Sequence, residues 1–280
     1  MTYKTILVHL NDERRVGQIV DVAAHLADRH ESHLIGLHVV PPGIVGSVTH
    51  IGGELIESGR RAFRDEGKRI GAIFEKATAG RAIVPEWRSI EPRRHHAGCA
   101  EAVMEHGRAA DLIIASQTDE TWDYHLLLDF PDRLAIESGR PTLIVPYAGR
   151  FPKFGRRVMV AWNGKRESAR AVFDALPLLK EADAVHVLWI DANAHRDGDG
   201  DIPAAEITAA LARHGVKCEA ARTTSGDIDV GNVILSRLAD FGADLLVMGC
   251  YGRSRFREFI LGGVSREILR HMTVPVLMSH

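Results

Sequence analysis

The sequence predicts an α/β protein made of two tandem, doubly wound, five-stranded parallel-sheet units of Rossmann-like type. Three observations carry this expectation. The chain has 280 residues, long for one compact unit and comfortable for two. Short, nearly continuous apolar runs alternate with amphipathic stretches, as strands do when helices cover both faces of a parallel sheet. The same order of elements also occurs twice, with the boundary near residues 147–156.

In the first half, residues 3–11 (YKTILVHLN) read as a strand entering a polar turn, residues 17–30 as an apolar-periodic helix and residues 32–40 (SHLIGLHVV) as the second strand. Residues 52–79 space apolar side chains at helical intervals in a charged background, which predicts a long amphipathic helix that the second half lacks. Residues 81–90, 110–116 (ADLIIAS) and 140–146 (RPTLIVP) give strands three to five, with a helix after the third. A junction rich in Gly and Pro, YAGRFPKFG, follows.

The second half repeats the plan. Its strands are 156–163 (RRVMVAWN), 184–190 (AVHVLWI), 217–224, 243–249 (ADLLVMG) and 273–279. Helices are predicted over 167–182, over 202–215 after a polar loop at 191–201, and from about Val264. Each half is β-α-β-α-β-α-β-α-β, and the units are expected to span 1–148 and 155–280.

Composition narrows the function. Hydrophobic residues make up 45% and charged residues 26%, which supports a real core, and the net charge of −2 supplies no basic face for nucleic acid or an anionic membrane. The opening MTYKTILVHLNDERR lacks a signal-peptide pattern and no segment has the uninterrupted apolar length of a membrane helix, so a cytoplasmic location is expected. Cys99, Cys218 and Cys250 are odd in number and far apart, as reduced thiols rather than a disulfide or zinc framework would be. Arg93, Arg94, His95 and His96 near Cys99 read as a polar loop opening a helix. Adjacent histidines point apart there, and no second ligand pair follows at zinc spacing. The run Asp197, Asp199, Asp201 continues into Ile202 and Pro203 and lacks the glycine and distal Glu of a calcium loop. No metal site is expected. Trp87 and Trp162 read as packing residues beside strands.

In an open parallel sheet a ligand sits outside the carboxyl ends of the strands, where the strand order reverses. In the second half the fourth strand leads into MGCYGRSRFREFILGGVSREILRH, where Gly249, Gly252, Gly262 and Gly263 punctuate the turn before a helix. Glycines there let backbone N–H groups approach a phosphate, and the helix N-terminus adds donors and a positive dipole end.

This spacing, Gly, two residues, Gly, nine residues, Gly and a small residue, resembles the loop of ATP-binding universal stress proteins, a family with an adenine nucleotide alpha hydrolase-like fold. The resemblance implies that Gly249 and Gly252 wrap the ribose and α-phosphate and that Gly262 and its neighbour hold the outer phosphates. Gly263 departs from the family's Ser or Thr, and Ser265 is the substitute hydroxyl. The resemblance further places Asn163 where the family has an Asp near the ribose, and Ile190 where a main chain meets the base. Met248, Ala161 and Val264 complete the wall, with Arg253 beside the phosphate path. An Asn-Gly turn accounts equally well for Asn163. ATP, with or without Mg²⁺, is the implied cofactor.

The first half reads differently at the matched positions. Ser116, Asp119, Asp129 and Phe130 stand opposite Gly249, Gly252, Gly262 and Gly263, and carboxylates with a bulky ring oppose an anion. Asn11 and Val39 persist as echoes of Asn163 and Ile190. The first half is therefore expected to bind no nucleotide in the family's manner. No Ser-His-Asp order, HExxH, CxxC or GxxxxGK[ST] pattern is present, so no catalytic residue is named and at most slow ATP hydrolysis is expected. The alternatives are a nucleotide-free module that binds partner proteins, and a binder of another small molecule that uses Asp119 and Asp129. The resemblance also implies an intramolecular pseudo-two-fold pair through the two fifth strands, with a homodimer of whole chains left open.

Overall fold

A computed structural model describes residues 2–41, 53–92, 98–191, 204–250 and 262–280, with the side chains of 53–56 left aside. The first half supplies β1 (Thr5–His9), α1 (Val16–His30), β2 (His33–Val39), α2 (Gly53–Thr78), β3 (Val84–Ile90), α3 (Cys99–Gly107), β4 (Leu112–Ser116), α4 (His125–Leu128), α5 (Pro131–Glu137) and β5 (Thr142–Val145). The second supplies β6 (Arg157–Ala161), α6 (Arg166–Asp174), α7 (Leu176–Leu179), β7 (Ala184–Ile190), α8 (Ala205–Arg213), β8 (Cys218–Thr223), α9 (Val230–Phe241), β9 (Leu245–Gly249), α10 (Gly263–His271) and β10 (Val276–Ser279).

These strands form one sheet in the order β3-β2-β1-β4-β5-β10-β9-β6-β7-β8. Within each half the pairings are parallel and the doubly wound order is the same. The halves meet where β5 pairs antiparallel with β10, with Leu143 opposite Leu277. Both strands are buried there, so each covers an edge the other half would expose.

The helix predicted over 167–182 is two helices. Pro177 sits in the first turn of α7, and its ring and missing N–H prevent a continuous run from α6. The long helix of the first half is α2, as its spacing predicts. The loop 192–203, with its aspartates, lies outside the described residues, as do Arg93, Arg94, His95 and His96. Among the described residues no group of side chains is arranged to hold a metal ion, and no helix is long and apolar enough to cross a membrane.

The core does not respect the half boundary. One apolar cluster runs from Val20 and Leu26 of α1 through Leu143 and Leu277 to Val172 and Leu179. Tyr3 Oη donates to the Asp174 carbonyl across it at 2.7 Å, and Arg29 pairs with Glu181. On the opposite face, Ile136 of α5 and Ile144 share a cluster with Ile268 and Met272.

Candidate functional site

The switch point of the second half lies between β6 and β9, and the chain there encloses a cavity of about 120 Å³. β6 and its extension contribute Ala161, Trp162 and Asn163, and β7 contributes Leu188 and Ile190. Met248 and Gly249 at the end of β9, Val230 and Ile234 of α9 and Val264 of α10 complete the lining. Of the residues expected from sequence, Ala161, Asn163, Ile190, Met248, Gly249 and Val264 thus converge on one cavity. Gly252 and Arg253 lie outside the described residues.

The glycines differ in what demands them. A Cβ at Gly249 would stand 2.5 Å from the backbone of Glu167 and Ser168, so this glycine lets α6 close against the end of β9. At Gly263 a Cβ meets nothing within 4 Å. Packing leaves that position open. Gly262 is the N-cap of α10, in extended conformation and without a side-chain cap, so the first-turn N–H groups keep no helical partner.

Two expected side chains are also engaged within the protein. Asn163 Oδ1 accepts the Lys165 N–H at 3.1 Å and Gly164 follows at φ +71°, which is the Asn-Gly turn after a strand. Ser265 shares the buried stripe of α10 with Ile268 and is 1% exposed, so its hydroxyl faces the core and not a phosphate.

Sequence reading missed Trp162, Leu188, Val230 and Ile234. Trp162 stands between two expected residues just past β6, where a packing role and a cavity-lining role coincide. The α9 residues come from a helix whose approach to the strand ends has no local signal.

At the matching place in the first half, His9 and Phe130 fill the position that corresponds to the base-facing wall, while an open cleft lined by Asp119, Asp129, Phe130 and Arg270 lies beside them. Sheet register sets Val8 beside Ile114 as it sets Val160 beside Val247, so His9 corresponds to Ala161 and Ser116 to Gly249. The His9 ring packs on Phe130, centroids 5.0 Å apart, and both are buried. Burial, reinforced by His38 and Arg15, lowers the His9 pKa to about 3, so the ring is neutral. Asn11 Nδ2 donates to the Val39 carbonyl at 3.0 Å and its Oδ1 accepts the Val39 N–H at 3.3 Å. The main chain that would meet a base is already bound.

Arg15 occupies the phosphate end. Its Nη2 donates to both Asp129 oxygens at 3.1 Å, Nη1 to Ser116 Oγ and the Gln117 carbonyl at 2.8 Å, and Nε to Asp12 at 2.7 Å. The guanidinium is 7% exposed and lies over the Trp122 ring at 5.3 Å. Burial pulls Asp12 upward, but Arg14 and Arg15 outweigh it and hold the carboxyl below its ordinary range. At Asp129 burial prevails over Arg15 and raises the pKa. Asp119 also sits beside Arg14, at 3.6 Å. The carboxylates that the sequence offers to a cationic ligand therefore already carry the chain's own cations.

The universal stress protein family model matches residues 155–280. A universal stress protein from Archaeoglobus fulgidus is similar along the whole chain, with TM-score 0.73 and 15% identity over 99% of this chain and 96% of that one. A protein of unknown function from Pseudomonas aeruginosa is similar with TM-score 0.56 and 15% identity over 99% and 92%. At that identity the likeness is one of fold. No curated protein matches the chain. Residues 155–280 thus belong to the universal stress protein family, and the full chain carries that family's fold twice in one continuous sheet.

Proposed function

We propose that the protein is a stress-response nucleotide-binding protein that takes one adenine nucleotide, such as ATP, in residues 155–280 and none in residues 1–148. The observation that carries this reading is the contrast between equivalent positions: Ala161 borders an open cavity, whereas its counterpart His9 is packed on Phe130. Leu188, Ile190, Ile234, Met248 and Val264 offer apolar walls to a flat base, with Trp162 beside them. Asn163 lines the cavity with its Oδ1 held by the Lys165 N–H, beside the place the ribose would take. The phosphates lead toward Gly249 and the uncapped start of α10, whose N–H groups and dipole favour an anion.

Binding, and not turnover, is the proposed activity. No described residue lining the cavity is titratable, so the described walls offer no general base and no water-positioning carboxylate. Mg²⁺ would arrive with the triphosphate, since no carboxylate is among the described residues that line the cavity. The Asn-Gly turn at Asn163 and the missing hydroxyl at Gly263 point to modest affinity.

Trp162 provides the test. Its emission should change saturably on titration with AMP or with ATP and Mg²⁺, and the signal should vanish in Trp162→Phe while calorimetric heat persists. No change in emission and no heat at millimolar nucleotide would refute the reading, in favour of a nucleotide-free interaction module.

A further inference from the structure

Gln117 follows β4 in the first half and is 2% exposed, yet its side chain serves the second half. Its Nε2 donates to the carbonyls of Leu269 and Arg270 at 2.7 and 3.1 Å, both in the last turn of α10. Its Oε1 accepts the Tyr147 N–H at 3.1 Å, its own N–H donates to the Val145 carbonyl at 2.7 Å, and its carbonyl accepts from Arg15 at 2.8 Å. A side chain so fully engaged has one orientation.

The last carbonyls of a helix lack intrahelical donors and need partners from outside. α10 ends at Met272 in extended backbone, φ −61° and ψ 135°, so the chain does not curl back to cap it. Gln117 supplies the donors instead. Toward the other end of this nine-residue helix, roughly 8–9 Å from those carbonyls at 1.5 Å per residue, Val264 borders the cavity and the N-cap Gly262 supplies no side-chain cap.

We propose that Gln117 is a positioning residue for the nucleotide site of the other half: clamped within residues 1–148, it anchors the C-terminal end of α10 and so holds the phosphate-facing end in place. The assignment rests on the function proposed above. It gives the non-binding half a task, because the Arg15 guanidinium that pairs with Asp129 also grips the Gln117 carbonyl. It also separates two ligands. ATP uses the start of α10, whereas adenosine uses only the apolar cavity.

The test compares ATP with adenosine by calorimetry in the full chain, for wild type, Gln117→Met and Gln117→Glu. Both variants keep the side chain's length and lose the amide donor, and Glu covers the case in which Met fails to fold. ATP affinity should fall several-fold while adenosine affinity stays within about twofold, and amide exchange at 263–266 should quicken in the unliganded variants. Equal losses for both ligands would mean a merely structural role, and an unchanged ATP affinity would overturn the assignment outright. A wild type that binds neither ligand would instead remove the nucleotide reading beneath it.

Discussion

At the scale of single residues, the two halves solve one geometric problem in opposite ways. The acids opposite the glycines were legible in the sequence, and the expectation that they oppose an anion followed from them. Their neutralisation was not, because Arg15 reaches Ser116 and Asp129 from 101 and 114 positions away. Truncating one member of a buried ion pair strands the other. Arg15→Ala should therefore cost roughly 3–5 kcal/mol of stability in urea unfolding, and Arg15→Met with Asp129→Leu clearly less. The glycines give a sharper pair. Gly249→Ala drives a Cβ into the α6 backbone and should cost about 1–3 kcal/mol by overpacking. Gly263→Ser enters open space, should leave the melting temperature unchanged, and should tighten ATP by restoring the family's hydroxyl. A destabilised Gly263→Ser, or a neutral Gly249→Ala, would show that the packing assigned to these positions is wrong.

At the scale of elements, the strand positions were readable to within two or three residues, the central ones because they are apolar runs between turn signals, whereas the edge strands β3 and β8 are polar and partly exposed. What periodicity could not show was the break between α6 and α7, although Pro177 was in view, nor the approach of α9 and α10 to the strand ends. The closure of β1 against the start of α5 is an element-level contact with a pH signature. His9 packs on Phe130 with its pKa lowered to about 3 by burial, whereas in the unfolded chain it titrates near 6.5. A folded pKa below the unfolded one means that the unfolded chain takes up the proton first. The His9 contribution is thus complete above about pH 6.5 and drains away as the pH falls toward 3. His30 and His38 are lowered in the same direction, also mainly by burial. Urea midpoints should fall between pH 7 and pH 5, and His9→Leu should reduce that fall; identical pH dependence in the variant would exclude His9 as a contributor.

At the scale of the whole molecule, the antiparallel junction of β5 with β10 and the apolar cluster shared by α1, α6 and α7 make one cooperative body of two repeats. The repeat itself was visible in the sequence. The shared core was not, since no local pattern shows that Tyr3 bonds the carbonyl of Asp174. Calorimetric unfolding should show one transition with matching calorimetric and van't Hoff enthalpies, and two resolved transitions would mean independent halves. The central claim, one open base position and one filled base position in a single sheet, is tested most directly by the stoichiometry of ATP binding. Titration calorimetry should give one nucleotide per chain, and none after Ala161→His with Gly263→Phe transplants the His9–Phe130 pair into the second half. Two nucleotides per chain, or one that survives the transplant, would contradict the account.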